Sequence, residues 1–237
     1  MYYCYYTVSV GNLDSAIGLA TSSSIAEGTW TDHGVVMETY IGQDHFNAID
    51  PNLVDDGAGN YYLQFGSYYG GIYQAPFDFA TQKPKSSDHN SYTRLVRNVT
   101  ASSWDNVEGS FIYKKNGKYW MFYSQGQCCS FVPGSLPPAG NEYKVRVGVS
   151  DSPSGPYLDQ DGTPLTDNGG TIFLPSHDDI YAPGGGSVIY DPISSMAQCL
   201  RFETNTVQIK MHMFIIISVL AMLPHLFSGS IISIGRR

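Results

Sequence analysis

The sequence predicts an all-β protein built as a β-propeller, and three observations lead there. Asp50 stands eleven residues before an aromatic strand opening at Tyr61, and Glu108 stands eleven before its counterpart at Tyr119. A third aromatic strand, YYCYYTVS from Tyr2, opens the chain at the corresponding point of the repeat. Helical periodicity is hard to find before residue 195. Units of roughly 50–60 residues with about four short strands are the spelling of propeller blades.

Each unit is expected to begin with a short apolar strand carrying the acid at its head, as in Ile49-Asp50 or Val107-Glu108. A turn follows at residues 56–60 and 115–118, where Asn and Gly tolerate the positive φ that tight hairpins require. The aromatic strand comes next. A third strand is expected from Ser15 (SAIGLATSS), Gly70 (GGIYQAPF) and Lys144 (KVRVGVSDS). Two of the units then run into a polar turn ending on an aromatic ring, Trp30 and Tyr157. The last recognisable unit starts at Asp179, and the pattern stops after Asp191-Pro192.

In a propeller the first strand of each blade lines the central channel, so Asp50 and Glu108 would converge on the axis. The plainer alternative makes them ordinary turn or strand-end acids. For the first unit the corresponding acid would fall before Met1, so one carboxyl of the set is expected to be missing from this chain.

Composition narrows the function. The chain has 237 residues, enough for one sizeable domain, and a net charge of −8. That charge excludes a nucleic-acid binder, which needs a basic surface. Eighteen Tyr, with aromatic and charged residues at 14% each, suit a secreted protein that handles sugars. Sugar rings pack their C–H faces on aromatic planes, although most of these rings serve strand packing. Cys128 and Cys129 are neighbours and read either as a strained vicinal disulfide or as two buried free thiols. With Cys4 and Cys199 they lack zinc-site spacing. Asn98-Val99-Thr100 is a glycosylation sequon. The N-terminus shows no basic segment followed by an apolar run, so no signal peptide is read there.

Two domains are therefore expected: a partial propeller over 1–192 and a non-propeller tail over 193–237. The tail contains MFIIISVLAML from Met213 and ends in two arginines, which reads as a helical or transmembrane anchor. Pro224 and His225 interrupt that run, and the repeat is abandoned just upstream, so a segment foreign to the propeller is the preferred reading.

Several strings resemble glycoside hydrolase family 43, specifically the arabinan-cleaving branch. They are Asn47-Ala48-Ile49-Asp50-Pro51-Asn52, Phe65-Gly66-Ser67-Tyr68-Tyr69-Gly70-Gly71-Ile72, Val107-Glu108-Gly109 and Ser176 to Gly185, with SAIGLATS and Cys128-Cys129 in support. The resemblance covers roughly residues 2–192. It implies a five-bladed propeller, of which this chain supplies fewer than four blades. It implies hydrolysis of α-1,5-linked L-arabinan with inversion, by three carboxyl groups on neighbouring blades.

Carried across, Glu108 matches the general acid, and Asp50 matches the acid that orients it and raises its pKa. A second carboxylate disfavours ionisation of the first, which is how a proton is kept near neutral pH. An inverting enzyme also needs a base roughly 6.5–9.5 Å from the acid. The family's base lies on a strand that would precede Met1. Similarity further implies that Asn47, Ala48, Ile49, Asp50, Ser67, Tyr68, Tyr69 and Gly11 line the sugar site. His177 matches an axial histidine beside a bound ion, often calcium. Otherwise it is a structural loop histidine. No cofactor is required for the chemistry.

The resulting expectation is an extracellular, monomeric glycosidase of arabinan catabolism, present here as a fragment. Its partners would be arabinan or arabino-oligosaccharides, with membrane contact only through the tail. The alternatives are a non-catalytic carbohydrate-binding propeller fragment and a membrane-anchored interaction protein.

Overall fold

Asn116 and Gly117 both have positive φ, +52° and +74°, and turn the chain between strands whose ends pair at Lys115 and Lys118. This is the tight hairpin expected of an Asn-Gly pair between apolar runs. Such hairpins recur along the chain in a computed structural model that describes residues 1–10, 13–99, 107–129, 131–191 and 196–200. Among these residues there are fourteen strands and two short 3-10 turns, with no α-helix.

The strands form four antiparallel sheets in chain order. The first contains β1 (Tyr2–Val10), β2 (Asp14–Ser22) and β3 (Thr31–Thr39), in the order β1-β2-β3. The second contains β4 (Asn52–Asp55), β5 (Tyr61–Ser67), β6 (Gly71–Asp78) and β7 (Lys83–Pro84), with β8 (Thr93–Val96) also paired to β6. The third contains β9 (Val107–Lys115), β10 (Lys118–Gln125), β11 (Lys144–Ser150) and β12 (Thr171–Leu174). The fourth is the hairpin of β13 (Ser187–Asp191) and β14 (Met196–Leu200). That hairpin carries the sheet past the boundary expected at residue 192. The apolar run from Met213 lies outside the described residues, and no described helix is long and apolar enough to cross a membrane.

This is a β-propeller of the five-bladed type, present in part. Apolar faces between successive sheets hold its blades together. Tyr5, Ile17, Leu19 and Met37 of the first sheet pack with Leu63, Phe65, Ala75 and Phe77 of the second. On its other face the second sheet gives Val54, Ile72 and Val96 to a cluster with Val107, Ile112, Met121 and Tyr123 of the third. β5 is covered on both faces, so all five residues of its LQFGS stretch are buried, the polar Gln64 and Ser67 included. Each large side chain fully buried in this way contributes about 1.5–3 kcal/mol.

Close backbone approach decides the turn from β5 to β6. Gly70 has φ +88°, and a Cβ there would lie 1.8 Å from the His45 carbonyl oxygen. No other residue fits. The loop from Tyr40 to Asp50 is thereby pressed against the end of the second sheet.

Candidate active site

Segment 47–50 enters the site with its polar groups already engaged. The Ala48 N–H donates to Thr39 Oγ1 at 2.8 Å, and the Ile49 carbonyl accepts from the Gly66 N–H at 2.9 Å. The buried Ser67 hydroxyl donates to Asn47 Oδ1 at 2.7 Å. Asp50 follows with φ +53°, just ahead of Pro51 and outside β4. It therefore sits in a left-handed bend rather than at the head of a strand. Asp and Asn adopt that conformation more readily than most residues.

Glu108, by contrast, is the second residue of β9. The two sheets meet at this point. Gly109 donates its N–H to Asp50 Oδ2 at 2.9 Å, and the Ile112 N–H donates to Asn52 Oδ1 at 3.2 Å. Burial, and then the negative charge of Glu108, push the Asp50 carboxyl up to about 7, against the lowering effect of the Gly109 hydrogen bond. Desolvation and like charge both penalise the ionised form, so a proton stays on the pair toward neutral pH. Sequence reasoning expected the raised carboxyl to be Glu108 under the influence of Asp50. The structure shows the reciprocal effect, with the Asp50 carboxyl raised by burial and by the charge of Glu108. Among the described residues, Glu108 is the one carboxylate whose charge acts on Asp50.

Two donors converge on Glu108 Oε1. The hydroxyl of buried Tyr143 lies 2.8 Å away, and the Cys128 thiol donates from 3.7 Å. Burial first, and Glu108 second, hold the Tyr143 hydroxyl well above its ordinary value, so it is a permanent donor. Tyr143 is seated by Gly184, where a Cβ would come within 2.0 Å of its ring, and Gly185 donates its N–H to Ser124 Oγ at 2.8 Å. The Ser176–Gly185 string thus closes the site from behind. Neither Tyr143 nor the Cys128 contact was legible in the sequence. Tyr143 lies outside the repeated motifs and reaches Glu108 only through the pairing of β10 with β11.

The other expected site residues divide. Tyr68 is half-buried, and burial followed by the charges of Glu108 and Cys128 raises its hydroxyl, which places it beside the acid. Tyr69 is half-buried and turns its hydroxyl to the Asp44 carbonyl at 3.1 Å. Asn47, Ala48 and Ser67 are buried braces. Gly11 lies outside the described residues.

His177 pairs its Nδ1 with the exposed Asp178 carboxylate at 3.0 Å, in a loop closed by mutual backbone hydrogen bonds with Ile180. No three His, Cys, Asp or Glu side chains among the described residues are grouped to hold a metal ion. The expected calcium does not fit these side chains alone. Cys4, Cys128 and Cys129 are free thiols, with Cys128 half-buried and Cys129 exposed rather than both buried.

The site is thus a carboxyl pair held where two propeller sheets meet, each member supplied with a fixed donor. The profile of Glycosyl hydrolases family 43 matches residues 1–206, and the chain belongs to that family. It is 45% identical over 193 residues to the probable arabinan endo-1,5-alpha-L-arabinosidase A of Aspergillus terreus, covering 81% of this chain and 55% of the relative. It is 42% identical over 193 residues to the arabinan endo-1,5-alpha-L-arabinosidase A of Aspergillus niger, covering 81% and 58%. Among solved structures it resembles the GH43 endo-arabinanase of Bacillus licheniformis, with TM-score 0.69 and 34% identity over 85% of this chain and 68% of that one. The native arabinanase of Bacillus subtilis gives TM-score 0.67 and 32% identity, over 86% and 69%. The chain spans little more than half the length of the curated relatives it matches.

Proposed function

We propose that the protein to which this chain belongs is an extracellular, monomeric glycosidase that cleaves α-1,5-linked L-arabinan with inversion. The observation that carries the reading is the bond between sheets that holds Asp50 to the residue beside Glu108. It makes the two carboxyls one proton-holding unit next to a half-buried tyrosine.

In the proposed reaction Glu108 gives a proton to the leaving glycosidic oxygen. Its Oε1 is occupied by the donors Tyr143 and Cys128, so Oε2 is the oxygen turned to the sugar. As the bond breaks, Glu108 becomes anionic, and the two donors stabilise the charge where it forms. Asp50 carries the pair's proton between turnovers and keeps β9 in position through Gly109. Tyr68 offers a ring edge and hydroxyl at the same place.

Inversion also calls for a base roughly 6.5–9.5 Å from the acid, with room for a water between them. We assign it to an Asp on a channel strand that would precede Tyr2, in keeping with the share of the relatives' length that this chain spans. Relatives that are arabinan endo-1,5-alpha-L-arabinosidases by name favour cleavage over the binding-only alternative.

The test compares reducing-sugar release from linear arabinan by this chain, by the chain extended upstream, and by the extended chain with Glu108→Gln. The extended chain is expected to turn over, and Glu108→Gln to lose on the order of 10²- to 10⁴-fold. Undiminished turnover without the Glu108 carboxyl would end the hydrolytic assignment. Calorimetry showing arabino-oligosaccharide binding by an extended chain that never cleaves would establish the binding module instead.

A further inference from the structure

Adjacent cysteines that touch the proposed acid are left unused by the mechanism. Cys128 lies 3.7 Å from Glu108 Oε1 through its thiol, and Cys129 has φ +67°, in the left-handed region. Beside them opens a cavity of about 230 Å³ lined by Gln127, Cys128, Cys129, Phe131, Leu136 and Pro137. Cys129 is exposed there, so a reagent reaches it without unfolding the chain.

We propose that Cys128 and Cys129 are an oxidation site, closed to a vicinal disulfide by a small disulfide reagent and acting on Glu108 by withdrawing its thiol donor. The consequence for Glu108 rests on the hydrolytic reading, whereas the chemistry of the pair does not.

The hydrogen bond of the Cys128 thiol, shared between the Cys129 sulfur and Glu108 Oε1, brings Cys129 down to about 7, so a substantial fraction of Cys129 is thiolate at neutral pH. The same bond first, then burial and the charge of Glu108, hold the Cys128 thiol protonated. Thiolate is the attacking species, so the order of events is fixed. Cys129 attacks one sulfur of oxidised glutathione, forming a mixed disulfide and releasing one glutathione thiolate. Cys128 then loses its proton to that thiolate and displaces the second glutathione. The two protein sulfurs are oxidised to one disulfide and one glutathione disulfide is reduced; the Cys128 proton ends on one glutathione, and the other leaves as thiolate and takes its proton from water.

After closure Cys128 has no S–H to give. Glu108 Oε1 keeps only the Tyr143 hydroxyl as a donor.

The whole chain is incubated with oxidised glutathione at neutral pH, then alkylated and digested with trypsin. The peptide from Tyr119 to Lys144 contains both cysteines and no other. It is expected to lose two hydrogens and to recover them with dithiothreitol. Recovery of the same peptide with both thiols alkylated would overturn the proposal, and so would a lasting glutathione adduct on Cys129. In parallel, the Glu108 carboxyl carbon resonance is followed by NMR before and after oxidation. A displaced resonance is expected, and an unmoved one would remove the link to the acid. Neither readout needs turnover. A chain that releases no sugar leaves both results standing, and a pair that will not close leaves the hydrolytic reading intact.

Discussion

Gly109 donates its N–H to Asp50 Oδ2 at 2.9 Å, so the acid of the second sheet is held by the neighbour of the acid of the third. The contact joins residues 59 apart in sequence. It has two effects that pull against each other. The donor favours ionised Asp50, while burial and Glu108 disfavour it, and the net direction is upward.

Stability should therefore depend on pH through Asp50. Its carboxyl rises from an ordinary 3.8 to about 7, so the folded chain keeps a proton that the unfolded chain has released. Stability falls as pH climbs between those values and is level above the upper one. Asp50→Asn keeps an acceptor for Gly109 and tolerates the left-handed bend. It should match the wild type below about pH 4 and exceed it by about 2 kcal/mol near pH 8, the full linkage value being reduced by solvent screening. Urea unfolding of both proteins across that range checks the difference. A wild type whose deficit does not grow with pH would count against the raised carboxyl.

Tyr143→Phe removes the nearer donor to Glu108 without a change of shape. A hydrogen bond to a charged group is worth about 1.5–3 kcal/mol, so turnover by the extended chain should drop about tenfold or more. Reducing-sugar release measures the effect. Undiminished turnover by Tyr143→Phe would show that the hydroxyl does not serve the acid.

Two glycine substitutions should separate strain from collision. Gly70→Ala puts a methyl 1.8 Å from the His45 carbonyl and is expected to yield little folded protein. Gly109→Ala has φ +59° but nothing nearer than 3.7 Å, so its cost should stay at about 1–2 kcal/mol. Urea midpoints, with soluble yield for Gly70→Ala, rank the pair. Equal effects would refute the close approach at Gly70.

Ser67→Ala leaves the buried Asn47 Oδ1 without its donor. The expected loss is about 1–3 kcal/mol in urea unfolding. If Ser67 were a sugar ligand rather than a brace, arabino-oligosaccharide affinity would fall while stability held.

Much of this was legible in the sequence because it is local. Asn116-Gly117 announces a hairpin by the φ values it permits, and Asp50 and Glu108 keep one spacing from their aromatic strands although the turns between differ in length, residues 56–60 against 116–117. Residues 144–150 and 71–78 read as strands because their apolar runs are bounded by turn residues. What escaped is what depends on sheets meeting. Tyr143 reaches Glu108 across 35 residues, and Cys128 across 20. The division of labour in the pair also escaped, since which carboxyl loses water depends on the surrounding packing and not on spacing. β14 was missed because the composition changes at Pro192, while backbone pairing with β13 is indifferent to that change.

The apolar seam between the second and third sheets has a bearing on how the protein would fail. Asp50 and Glu108 stand on opposite banks of it, so a slight slippage there parts the acids while every strand keeps its own ladder. On gentle warming, catalytic competence should thus vanish ahead of any spectroscopic sign of melting.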